Sequence, residues 1–231
     1  MWLSFLLLFI VCVGVYLLKK SQYIDFTVDD KNYQIEKYSP ARYESLNTLV
    51  KIRKNLESLV EHMSKKYPKS DKVERMKERF YNTTLREANP NGDPTQTSYT
   101  VNKGDTMVIC LRAYGGQLVD LNTLMYVAIH ELAHIYSSSY HHTKEFWDNM
   151  KFLIDEAVER GLYRRVDYRK SPVKYCGIMI SSNIPRVELP GIQEGRTGGK
   201  EHLLMIDGGK QKGGGFGEEL VGYLLARSGI F

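Results

Sequence analysis

From Val127 to Tyr136 the chain reads Val-Ala-Ile-His-Glu-Leu-Ala-His-Ile-Tyr, an apolar run without proline or glycine that carries two histidines and a glutamate. Such a run admits few folds. Its length and the absence of a breaker predict a helix, and its apolar flanks predict that most of that helix is buried. His130 and His134 are four apart and therefore share one helix face. Burying a His-Glu-His cluster is costly unless its polar atoms are paired or hold a metal. The spacing is H-E-x-x-H, which brings both imidazoles to one ion and sets Glu131 beside it, where it can take a proton from water. The plainer alternative is a core helix whose histidines are satisfied by hydrogen bonds.

A catalytic zinc needs a third protein ligand and an open position for water. Four of the six histidines fall between positions 130 and 142. Ser137-Ser138-Ser139 loosens the end of the motif helix, and a short reversal would return either His141 or His142 to the ion. Spacing alone leaves that choice open. Asp120 or Asn122 is placed to cap the start of the same helix.

With 231 residues and 42% hydrophobic content, the chain can bury the core of one domain. The net charge of +5 is spread along the sequence rather than gathered in a basic block, so a nucleic-acid partner is possible but not indicated. Residues 1–20 stand apart. Met1 to Leu18 has no charged side chain, and Lys19-Lys20 closes the segment. At helical rise, eighteen residues reach about 27 Å, which predicts a single-pass membrane anchor rather than a cleaved signal peptide. The two lysines then put the following domain on the cytosolic side. The three cysteines, Cys12, Cys110 and Cys176, form no C-x-x-C pair. A disulfide framework is not expected, in keeping with a reducing compartment.

Between the anchor and the motif, short strands are expected around Tyr23–Val28 and Tyr33–Ile35. Ser39-Pro40 reads as the start of a long amphipathic helix that reaches Lys66, with Pro68 beyond it. A second helix should run from Ser70-Asp71 to about Tyr81. Ser98–Asn102 and Thr106–Arg112 flank Lys103-Gly104-Asp105 as a hairpin, whose second strand is a candidate border of a substrate cleft. Lys144–Glu159 should be the next helix, stopped by Gly161. Together these elements give an α+β domain over 21–188, followed by a Gly-rich flexible tail over 189–231.

The stretch from Asn102 to Pro185 resembles the WLM and SprT-like (Spartan-type) group of zincin metallopeptidases, including membrane-anchored relatives in large DNA viruses and protists. The matching elements are Asn102-Lys103-Gly104, Ile109-Cys110-Leu111-Arg112, His130-Glu131-Leu132-Ala133-His134 and His142-Thr143-Lys144-Glu145-Phe146-Trp147. In that group the third ligand is a histidine followed four residues later by Phe, usually Phe-Trp, a register that only His142 fits. The resemblance implies a small gluzincin-like domain with one catalytic Zn2+ per chain, held by His130, His134 and His142. It also implies a protein or peptide substrate. Glu131 would act as general base and then as general acid. Tyr168 and Tyr175 are candidates to steady the oxyanion, against a background of sixteen tyrosines that mostly pack. Three other readings compete with the peptidase: a silent zinc-stabilised module on a membrane, a scaffold without metal, and a DNA-associated protease for protein–DNA crosslinks.

Overall fold

The computed structural model describes residues 2–20, 22–39, 41–89, 97–113 and 115–181. The expected Gly-rich tail, and the end of the expected domain at 182–188, lie outside the described residues. In chain order the elements are α1 (Trp2–Lys20), β1 (Tyr23–Val28), β2 (Lys31–Glu36), α2 (Arg42–Lys66), α3 (Asp71–Asn82), β3 (Thr84–Glu87), β4 (Tyr99–Val101), β5 (Thr106–Ile109), α4 (Leu121–Tyr136), α5 (Lys144–Glu159), β6 (Val173–Tyr175) and β7 (Ile178–Ile180).

The α2 periodicity is realised in full. Leu46, Leu49, Ile52, Leu56, Leu59, Val60 and Met63 are all buried on one stripe. Arg53 is buried with them, its guanidinium donating to the Thr83 carbonyl and lying over the rings of Tyr33 and Phe80. The helix begins differently from expectation. Its N-cap is Ala41, with no side-chain cap, so Ser39 does not fill that role. Helix α3 starts where expected, and Ser70 caps it, its Oγ accepting from the Val73 amide.

Five strands form one mixed sheet in the order β1-β2-β3-β5-β4. The outer pairs β1–β2 and β4–β5 are antiparallel hairpins, whereas β2–β3 and β3–β5 are parallel. Strand β3 was not anticipated from the sequence, yet it sits at the centre with Leu85 fully buried. Its position turns β5 into an interior strand. The sheet edge beside the motif helix is β4, so the expectation that β5 borders a cleft is corrected to its hairpin partner. Helices α2, α3, α4 and α5 bury their apolar faces together with the sheet in one continuous core.

Two further expectations are corrected. Among the described residues, no helix is long and apolar enough to cross a membrane. Cys110 and Cys176 are joined by a disulfide, which the sequence reading had set aside. The pairing follows from topology. Hairpin β6–β7 folds back against the end of β5, so two cysteines 66 positions apart become neighbours. Tyr175 reinforces the contact. Its hydroxyl donates to the Cys110 carbonyl at 2.8 Å and lies 2.7 Å from Ser98 Oγ, which in turn accepts the Cys110 amide at 3.1 Å.

Candidate metal centre

Helix α4 is fixed at its start by Asp120, whose carboxylate accepts the Thr123 amide at 3.0 Å and the Thr123 hydroxyl at 2.6 Å. Asn122 has a different task. Its amide exchanges two hydrogen bonds with the backbone of Arg164, tying the helix to the segment after α5. From this anchored start the chain carries His130 and Glu131 to full burial and His134 to partial burial.

The chain leaves α4 after Tyr136 and turns back through 137–143. His141 takes a left-handed backbone conformation, φ 63°, and faces outward as an exposed residue. His142 points inward instead. Thr143 then caps α5 by accepting the Phe146 amide on its hydroxyl, which sets the backbone next to His142. The result brings His130, His134 and His142 together, with one ligand nitrogen from each within 4.8 Å of the others. His142, not His141, completes the cluster.

Phe146 gives the Phe-Trp register a physical meaning. Its ring centroid lies 4.8, 4.4 and 4.6 Å from those of His130, His134 and His142, so it floors all three imidazoles. Trp147 stacks on His142 at 5.4 Å and meets His130 edge-on. These rings restrict the imidazole rotamers and keep water from their outer faces.

Burial holds His130 and His134 neutral. It pushes His130 well below the usual imidazole range, and the neighbouring His134 and His142 push it further. His134 is lowered to about 3, first by burial and then by His142. Nε2 of His142 nevertheless lies 2.9 Å from Nε2 of His130. Two lone pairs cannot face each other at that distance without a proton or a cation between them. One neutral ring in its Nε2–H tautomer supplies that proton, but His134 then has no share in the contact, and His130 Nδ1 has no hydrogen-bond partner among the described residues. A divalent ion would instead take one nitrogen from each of the three rings at once, and three imidazoles are a donor set that suits zinc. The residues present therefore fit the metal.

Glu131 is held from the sheet edge. Thr100 Oγ1, on β4, donates to its Oε2 at 2.8 Å. This contact was not legible in the sequence, because nothing in a threonine of a three-residue strand marks its partner. The two candidate tyrosines stand differently. Tyr168 packs on Tyr126, one turn before His130, with its hydroxyl toward Tyr163 and Thr123 rather than among the three histidines. Tyr175 is close enough to feel the Glu131 carboxylate, but its proton is committed to the Cys110 carbonyl and burial raises its pKa. One other group among the described residues, His62, Glu156 and Glu159, has ligand spacing. There Lys66 already supplies the cation, at 3.0 Å from Glu156 and 2.7 Å from Glu159.

The chain is similar to several known proteins. An uncharacterised protein of Acanthamoeba polyphaga mimivirus is 31% identical over 188 residues, covering 78% of this chain and 94% of its own length. An uncharacterised protein of Invertebrate iridescent virus 3 is 41% identical over 85 residues, covering 36% of this chain and 51% of its own length. Among solved structures, Wss1 from Saccharomyces cerevisiae aligns at 22% identity with a TM-score of 0.42, over 55% of this chain and 90% of that one. A Wss1 mutant from S. pombe aligns at 21% with a TM-score of 0.36, over 53% and 91%. Likeness at that level carries no argument here. The model of the WLM domain matches residues 29–172, a span that takes in β2 to α5, Glu131 and all three histidines. On that match the chain belongs to the WLM domain family, a metallopeptidase-like family.

Proposed function

We propose that this chain is a zinc-dependent endopeptidase of the zincin type. The observation that carries the reading is the convergence of three imidazoles, one buried and two partly buried, beside a carboxylate that a sheet edge holds in place. His130, His134 and His142 would hold the ion. When bound, zinc supplies Lewis acidity, which makes water acidic enough to lose a proton near neutral pH.

The chain's own residues do the rest. An extended peptide can pair with the open edge of β4, which lays a scissile carbonyl across the histidine cluster. Glu131 takes the proton from the attacking water and gives it to the departing amine. Thr100 holds the Glu131 carboxylate at Oε2. Phe146 and Trp147 exclude bulk solvent from the imidazole faces. Tyr175 would reach an oxyanion only by giving up its bond to the Cys110 carbonyl, so its place in the mechanism is a separate proposal, tested by Tyr175→Phe. A drop in turnover without loss of stability would support it.

The test of the reading is zinc analysis with digestion of a peptide library, wild type beside Glu131→Gln. Zinc should be retained at about one per chain in both proteins, with hydrolysis abolished in the variant. Equal hydrolysis by both would overturn the mechanism, and zinc without hydrolysis in the wild type would favour a silent binding module. Stimulation of the wild type by DNA, lost steeply with salt, would point to the DNA-associated reading.

Localisation is a proposal of its own. Helix α1 leaves Trp2, Phe5, Leu6 and Phe9 exposed, and a lipid surface is the simplest phase to cover them. The Cys110–Cys176 disulfide suits a non-reducing compartment, so the cytosolic side expected from Lys19 and Lys20 is not carried forward. Flotation of the full chain with phospholipid vesicles, unchanged in a Leu6→Asp/Phe9→Asp variant, would contradict this role for α1.

A further inference from the structure

We propose that Lys103 is the positioning residue that sets the third histidine of the metal site, by clamping the turn that presents His142. This rests on the metal-site reading above. The turn 137–143 reverses the chain between two helices, so its backbone groups lack a regular ladder. Its amides are provided for from nearby, since Ser138 and Ser139 donate to the Glu145 carboxylate at 3.0 and 2.9 Å. Its carbonyls are provided for from elsewhere in the fold. Lys103 Nζ lies 3.3 Å from the His134 carbonyl and 3.2 Å from that of Ser137, and it also bonds the Ser139 carbonyl. An ammonium has three protons, and these three acceptors use them all. The same ammonium lies over the Tyr140 ring, 4.6 Å from its centroid. The carbonyl of the second ligand and three residues between it and the third are thus gathered on one cation.

The β4–β5 turn is built to deliver that cation. Asn102 and Lys103 both adopt left-handed backbone, φ 47° and 57°, and Asn102 closes the turn on Asp105 at 2.8 Å. Gly104, at φ 127°, lets the turn press down on α3 and α4. A Cβ there would lie 3.4 Å from Arg79 Cβ and 3.5 Å from Ile135 Cδ1. Because Lys103 directly follows β4, the clamp also fixes His142 relative to the strand that would receive a substrate and that holds Glu131 through Thr100.

The test is zinc affinity by chelator competition on the full chain, with peptide kcat and KM measured at saturating zinc. Lys103→Met keeps the stem and removes the donors. It should weaken zinc binding about 10- to 100-fold, the usual scale for groups that orient a metal ligand. Lys103→Arg should recover most of that loss. In a His142→Ala background, Lys103→Met should add less than about a twofold change, because the ligand it positions is gone. Unchanged affinity in Lys103→Met, or the same fold-loss with and without His142, would overturn the proposal and leave the zinc site standing. Absence of zinc binding by the wild type would overturn the metal-site reading and the clamp with it. Should Lys103→Met not fold, Lys103→Gln takes its place in the same cycle.

Discussion

The Cys110–Cys176 bridge should be a large share of the stability of this domain. It closes a loop of 66 positions. Restricting an unfolded chain by a loop of that length removes roughly 15 cal/mol/K of entropy, or about 4 kcal/mol at 25 °C. For a domain of this size each kcal/mol moves the thermal midpoint by about 2–4 °C, so reduction should lower it by about 8–16 °C. The native state should survive reduction. The hydrogen bonds among Tyr175, Ser98 and Cys110 still dock hairpin β6–β7 when the covalent bond is open. The assay is thermal unfolding of metal-free protein with and without a phosphine reductant, with thiol titration to count the cysteines. A Cys110→Ala/Cys176→Ala variant is the control, and it should unfold near the reduced wild type and ignore the reductant. A shift below about 2 °C on full reduction, or a variant that still responds, would refute the reasoning.

Other outcomes follow from the site. Thr100→Val removes one hydrogen bond to Glu131, which should lower kcat about tenfold while zinc content stays the same; unchanged kcat would show that the carboxylate needs no such support. Acid should destabilise the metal-free protein through its histidines. The folded pKa of His134 lies near 3, below its ordinary value, and that of His130 is also depressed. The unfolded state therefore binds more protons in between, so stability is full above about pH 6.5 and is lost as pH falls toward 3. Urea midpoints measured across that window test this, and a flat profile that also matches His134→Ala would contradict it.

Much of the site could be read from residue order, because it is local. The motif helix, a cap at Asp120 or Asn122 and α5 follow from patterns contained within about sixteen positions, whereas spacing left His141 and His142 open and only the resemblance to the WLM and SprT-like register singled out His142. What escaped depends on distant partners. Strand β3 is four residues long and gains its identity from parallel neighbours on both sides, a feature no local pattern carries. Missing β3 misplaced the sheet edge by one strand and hid the contact between Thr100 and Glu131. Cys110 and Cys176 offered no short spacing, so their pairing depended on where β6–β7 docks. The apolar start was legible as a helix, Trp2–Lys20, but among the described residues no helix is long and apolar enough to cross a membrane.

The brevity of β4 has a consequence for how long anything stays on it. An unpaired edge accepts any extended chain, a second copy of this one included. Three residues offer only two or three ladder bonds, each worth about 1 kcal/mol net. That is far below the roughly 8 kcal/mol of a micromolar complex. Copies of the chain will not hold together through β4 alone, and a peptide held there by its backbone alone will leave quickly. If the chain is the peptidase proposed, retention must come from side chains beyond the strand, and a cleaved product, having lost half of its grip, departs without a dedicated opening step.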